Sequence, residues 1–208
     1  MNITSKRESL RRFYTPFGWV LAKTNISPNL VTVMALVAGT GSAFLYYLSH
    51  PVLGAFLLFV SGVLDLCDGY VAVSNRRATK FGAVFDWLAD KWVDGFVLGA
   101  VGLKYAGEWT ALLAVVSTML HTFIKPVAYA EIGYRVRVSG KIVDPLESTG
   151  FFGRPETILV LFTASLFYPL SHRILTYAVE FIAVMTTLSL LHRVYYLYQR
   201  YGKVLDDV

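Results

Sequence analysis

Six stretches dominated by apolar side chains set what this chain can fold into. They cover residues 28–48, 52–73, 82–103, 109–133, 154–171 and 174–198. Each is near the roughly 20 residues that a helix needs to cross the hydrocarbon core of a bilayer. In lipid only a helix or a closed barrel satisfies its own backbone polar groups, and stretches this long select the helix. The expected fold is therefore an all-α integral membrane protein with six transmembrane helices. Composition agrees: 55% of the 208 residues are hydrophobic and 16% charged, with mean hydropathy +0.53. A soluble domain carries charge on about a quarter of its residues.

The breaks between stretches carry the expected punctuation. His50-Pro51, Ser74-Asn75-Arg76-Arg77, residues 134–153, Tyr168-Pro169 and His172-Arg173 separate the spans. Ser27 suits an N-cap, with Pro28 at the first helical position. Ahead of it, residues 5–24 mix Lys6, Arg7, Arg11, Arg12 and Lys23 with Leu10, Phe13, Tyr14, Phe17, Trp19, Val20 and Leu21. That mixture predicts an amphipathic helix lying on the membrane surface. The chain reads as one domain over 1–208, with an interfacial helix in 1–25 and a six-helix bundle in 26–200. Met1–Arg12 lacks the hydrophobic region of a signal peptide, and no internal repeat is visible.

The net charge of +5 follows the positive-inside rule rather than a nucleic-acid partner. With the N-terminus cytoplasmic, Arg76, Arg77, Lys80, Arg135, Arg137, Lys141, Arg200 and Lys203 share its side. The opposite side keeps Lys104 and Arg173. Both termini are then cytoplasmic. Cys67 is the single cysteine, which excludes an internal disulfide and a cysteine-based metal framework; it reads as a small packed residue.

Against this apolar background stands the pattern Asp65-x2-Asp68-Gly69-x2-Ala72-x9-Gly82-x3-Asp86-x3-Asp90. A carboxylate at membrane depth costs several kcal/mol unless it is neutralised. No basic residue lies between Asp65 and Asp68 or between Asp86 and Asp90, so divalent cations are the expected neutraliser. Asp65, Asp68 and Ala72 share one helix face by i, i+3, i+7 spacing; Gly82, Asp86 and Asp90 share another by i, i+4, i+8 spacing. Two such faces meeting at a tight turn make a cage of four carboxylates. Hard oxygen ligands select Mg²⁺, Mn²⁺ or Ca²⁺. Gly69 and Gly82 let a ligand approach the backbone. Asp94 extends the second face, either as a neighbour of the metal or as the partner of a base such as Lys91.

Paired acids with metal suit phosphoryl transfer. They also occur in divalent-cation transporters, although a transporter spreads its acids through the bilayer's depth, whereas these cluster at one end. A second set, Lys125, Arg154 and Arg193, lies toward the same side. Such cations either snorkel to the interface or form a pocket for an anion, Arg as a fork and Lys as a point charge.

Together these residues resemble the CDP-alcohol phosphotransferases (CDP-alcohol phosphatidyltransferases), whose pattern is D-x2-D-G-x2-A-R-x8-G-x3-D-x3-D. Every position matches except the Arg, which is Val73 here. The six spans and the amphipathic N-terminal helix fit the resemblance over nearly the whole chain. It implies Mg²⁺ or Mn²⁺, two ions, held by Asp65, Asp68, Asp86 and Asp90. Asp90 would also act as general base. Asn29, Thr32, Asp68, Gly69, Ala72 and Gly82 would contact the nucleotide. A CDP-linked lipid would be the donor, a polar alcohol the acceptor and CMP the leaving group. Homodimerisation and the cell membrane of a prokaryote, with the active site facing the cytoplasm, are implied as well. The Arg-Pro-Glu run at 154–156, Lys125, Arg193 and the segment Phe81–Asp86 resemble the phosphatidylinositol-phosphate synthase branch. There the acceptor is inositol 1-phosphate, and the three cations would bind its phosphate. Glycerol 3-phosphate as acceptor, an ether-lipid donor and CDP-inositol as donor are the alternatives. Val73 adds another, a CDP-lipid binder without catalysis, unless Arg76, Arg77 or Lys80 replaces the missing guanidinium.

Overall fold

The computed structural model describes residues 7–133, 137–138, 141–142, 146 and 149–202. Lys6, Arg135 and Lys203, assigned above to the cytoplasmic side, lie outside them. Among the described residues seven helices follow in order: α1 (Arg7–Lys23), α2 (Pro28–Tyr47), α3 (Pro51–Ser74), α4 (Lys80–Tyr105), α5 (Glu108–Glu131), α6 (Arg154–Phe167) and α7 (Arg173–Tyr201). Between α5 and α6 two dipeptides, β1 (Arg137–Val138) and β2 (Lys141–Ile142), pair antiparallel. This is a small departure from an all-helical expectation.

Four helices, α2, α3, α5 and α7, are long and apolar enough to cross a membrane, and the chain is an integral membrane protein. Helix α4 has the length, but Asp86, Asp90, Lys91 and Asp94 interrupt its apolar run. Helix α6 ends sooner than the apolar stretch over 154–171. It has 14 residues, about 21 Å at 1.5 Å per residue, against a core of about 30 Å. Pro169 has no N–H to continue the ladder. The chain instead tightens, with Tyr168 N donating to Ser165 O and Leu170 N to Phe167 O.

Local chemistry explains the ends that position the site. Ser27 caps α2, its side chain accepting from Leu30 N, and Pro28 follows as expected. Thr79 caps α4 by accepting from Gly82 N at 2.9 Å. Between them Asn75 and Arg76 close a turn in which Arg76 takes φ 54 and Arg77 N donates to Ala72 O. This turn reverses the chain, and α2 packs against both α3 and α4.

The core joins α2, α3, α4, α6 and α7 through Tyr46, Leu58, Val97, Leu98, Val101, Leu161, Leu175 and Ile182. Apolar side chains also face outward, among them Val37, Phe44, Leu53, Trp109, Leu112 and Val184. With lipid outside, helix association rests on close packing and buried polar bonds rather than on escape from water. Ser42 Oγ donates to Gly54 O and Ser61 Oγ to Ala35 O, each at 2.7 Å; Tyr46 OH meets Ser165 Oγ at 2.9 Å. Closest approach occurs at Gly39, where an added Cβ would lie 2.5 Å from both Val93 methyls. Gly39→Leu is therefore expected to part α2 from α4 and cost about 1–3 kcal/mol. A lowered melting temperature of the purified protein in detergent checks this.

Candidate active site

The turn after α3 and the packing of α3 and α4 against α2 bring the acids together. Asp65 of α3 and Asp86 and Asp90 of α4 each offer an oxygen within 4.8 Å of the others, all partly buried. Asp68 departs from the four-carboxylate cage. It is 4% exposed, and its Oδ2 accepts a hydrogen bond from Thr32 Oγ1 at 2.5 Å. The group within 4.8 Å thus has three members, with Asp68 tied to α2 beside it.

The spacing argument gave the acids no cation from the chain itself. The fold supplies one from 89 residues away. Arg154, at the start of α6, donates from Nη1 to Asp65 Oδ2 at 3.0 Å and also pairs with Asp90 Oδ1. Its Nε lies 3.0 Å from Asp94 Oδ1, and Asp94 Oδ2 accepts from Lys91 Nζ at 2.7 Å, the pairing read from the sequence. The cap of α6 holds Arg154 in place: Gly153 N donates to Glu156 Oε2 at 3.0 Å.

These residues fit a divalent cation. Arg154 faces Asp65, Asp90 and Asp94, and Lys91 faces Asp94, so these two cations meet three of the five clustered carboxylates. Asp90 Oδ1 is buried yet accepts no well-directed hydrogen bond. An added Cβ at Gly69, next to Asp68, would meet nothing within 4 Å. Oxygen donors, surplus negative charge and open space are what a hard cation needs.

The residues expected at the nucleotide gather at the same end. Asn29 Oδ1 would lie 3.1 Å from a Cβ on Gly82, and Thr32 reaches Asp68. Ala72 lies one turn beyond Asp68, its carbonyl bound by Arg77 N. Val73 is 71% exposed. Arg77 donates from Nη1 to Asn25 O at 3.1 Å, and Asn75 Nδ2 to Ala22 O at 3.2 Å, which ties the α3–α4 turn to the end of α1.

The three expected phosphate-binding cations are placed differently from one another. Lys125 is partly buried on α5. Arg154 faces the acids. Arg193 is 3% exposed and donates from Nε to Thr149 O at 3.1 Å and from Nη1 to His121 O at 2.5 Å. Sequence reasoning missed the pairing of Arg154 with Asp94, and it missed His121 and Ser189, which share Arg193's surroundings. The only available signal was a polar residue inside an apolar span. Removing Arg154 leaves Asp65, Asp90 and Asp94 without their shared cation. Arg154→Ala is therefore expected to lower the melting temperature in chelator, and Mn²⁺ to restore part of the loss, in thermal unfolding of the purified protein.

The chain is similar to known proteins over most of its length. The family model for CDP-alcohol phosphatidyltransferase matches residues 25–190. The chain is 25% identical over 178 residues to archaetidylinositol phosphate synthase of Pyrococcus horikoshii, covering 86% of this chain and 87% of that protein. It is 25% identical over 162 residues to phosphatidylinositol phosphate synthase of Mycobacteroides abscessus, covering 77% and 71%. The fold superimposes on Mycobacterium tuberculosis phosphatidylinositol phosphate synthase with CDP-DAG bound, at TM-score 0.75 and 21% identity, over 95% of this chain and 100% of that one. That mycobacterial protein has also been solved with manganese and citrate, matching at TM-score 0.72. Since the family model spans most of its length, the chain belongs to the CDP-alcohol phosphatidyltransferase family.

Proposed function

We propose that this protein transfers a phosphatidyl-type group from a CDP-linked lipid to the hydroxyl of inositol 1-phosphate, releasing CMP. The observation that carries this reading is Arg154 facing Asp65 and Asp90: a guanidinium, whose fork suits phosphate, stands beside a carboxylate cluster suited to metal. The names of the relatives support the inositol phosphate acceptor and a diacyl or ether-linked donor. Glycerol 3-phosphate is the second acceptor to test, because it presents the same phosphate to the same cations.

Asp65, Asp68, Asp86 and Asp90 hold the metal in this reading, as Mg²⁺ or Mn²⁺ and as two ions. Bound cations supply the charge that neutralises the donor's pyrophosphate and the departing CMP. Asn29, Thr32, Asp68, Gly69, Ala72 and Gly82 surround the nucleotide, with Gly69 leaving backbone open to it, whereas Thr79 and Asn29 crowd the Cβ position of Gly82. Asp90 takes the proton from the acceptor's hydroxyl. The oxygen then bonds to the phosphorus nearest the lipid, and the bond from that phosphorus to the CMP oxygen breaks. Lys125, Arg154 and Arg193 provide the positive charge that holds the acceptor's phosphate.

The whole chain acts as one domain in this reading. Helices α2–α7 make six spans around the site, and α1 lies at the interface. Both termini and the site face the cytoplasm, and the protein works as a homodimer in a prokaryotic cell membrane.

CMP release by the purified protein in lipid tests the reading, with Mg²⁺, CDP-diacylglycerol or its ether analogue, and each acceptor in turn. Release that depends on inositol 1-phosphate is expected; release with glycerol 3-phosphate alone renames the headgroup. Asp90→Asn is expected to lose about 10²–10⁴-fold in turnover while Mn²⁺ binding persists. Full activity in that variant would sink the assignment of Asp90 as base. Val73→Arg tests the departure from the family pattern. With Arg77 and its neighbours supplying the missing charge, the substitution changes turnover little, whereas a large gain marks a weakened nucleotide site.

A further inference from the structure

One buried polar cluster of the described residues lies apart from the carboxylates. His121 of α5 and Ser189 and Arg193 of α7 converge on the segment Thr149–Phe152, just before α6. His121, Ser189, Arg193 and Thr149 are at most 5% exposed. Ser189 Oγ accepts from Phe151 N at 3.0 Å and Phe152 N at 3.2 Å, and meets His121 Nε2 at 2.9 Å. Arg193 binds Thr149 O and His121 O, as described above. Gly150 is pressed against the same groups. It takes φ 81, and an added Cβ would sit 2.8 Å from Arg193 Nε and 3.0 Å from Ser189 Oγ. Phe152 then packs edge-on against Phe181 of α7, with centroids 5.8 Å apart.

Burying a guanidinium and an imidazole is a poor way merely to join helices, because apolar side chains of similar volume do so without desolvating a charge. The bonds of this cluster share a destination. The segment they hold is neither helix nor strand, so its N–H and C=O groups need side-chain partners. One residue later, Gly153 begins the cap that presents Arg154 to the carboxylates. His121 also lies one turn before Lys125 on α5.

We propose that His121 and Ser189 are positioning residues for the acceptor's phosphate: Ser189, held by His121, ties Thr149–Phe152 to α7 alongside Arg193, whose own charge stays in the cationic set, and so fixes Arg154. This rests on the reading of Arg154 as an acceptor-binding residue.

The test uses full-length protein in lipid nanodiscs. Ser189→Ala and His121→Ala are expected to raise KM for inositol 1-phosphate by about tenfold, the usual cost of a buried hydrogen bond. KM for the CDP-lipid stays unchanged, and Ser189→Thr, which keeps the hydroxyl, restores the acceptor KM. In an Arg154→Ala background Ser189→Ala adds nothing further. Equal rises in both KM values, or additive effects with Arg154→Ala, would overturn the proposal. Calorimetric binding of inorganic phosphate to the Mn²⁺-loaded protein needs no turnover and separates the two readings. If the native protein transfers to neither acceptor but Ser189→Ala still weakens phosphate binding by about tenfold, the transferase reading fails and the positioning role stands. Unchanged phosphate affinity in the variants, or none in the native protein, overturns the positioning role.

Discussion

The structure depends on the cost of holding carboxylates among apolar helices. Asp65, Asp68, Asp86, Asp90 and Asp94 lie on helices whose other faces meet core or lipid, where an unpaired anion is expensive. The fold meets this demand in parts. Thr32 takes a hydrogen bond to Asp68, Lys91 pairs with Asp94, and Arg154 spans Asp65, Asp90 and Asp94. The remaining negative charge is the chain's affinity for a divalent cation. Stability and ligand binding thus draw on the same side chains. The packing of α2 on α3 and α4 has to be close enough for Thr32 to reach Asp68, and Gly39 permits that approach.

Local and periodic features were legible in the sequence. The turn spacing of the acids placed Asp65, Asp86 and Asp90 on facing surfaces, and the structure joins them. Ser27 and Pro28 announced the start of α2, and Lys91 was close enough in sequence to be named as the partner of Asp94. In each case the partners sit within a few residues, or on two helices joined by a short turn, so helix geometry alone determines the outcome.

Contacts between distant segments were not legible. Nothing near Asp65 in sequence points to Arg154, because the pairing exists only once α6 has docked on α3 and α7. Asp68 carries the same spacing signal as Asp65, yet Thr32 on another helix draws it aside. Ser189 gave less still: a lone serine in an apolar run is equally compatible with bonding its own helix and with capping a distant loop. The length of α6 was overestimated because hydropathy continues through Leu166, Phe167 and Leu170 although the helical ladder stops at Phe167. Apolar character and helical structure part company at Pro169.

The shortness of α6 has a consequence for the surrounding lipid. Beside neighbours of 24 residues or more in α3, α4, α5 and α7, a helix of about 21 Å creates hydrophobic mismatch on one flank of the protein. Either the leaflet dips toward α6 or headgroups and water fill the missing length. In both cases the polar boundary moves inward at the Phe167 end of α6, the end away from Arg154, while acyl chains beside α3 and α5 stay at their ordinary depth. The local thickness of the bilayer is thereby shaped by where one helix stops.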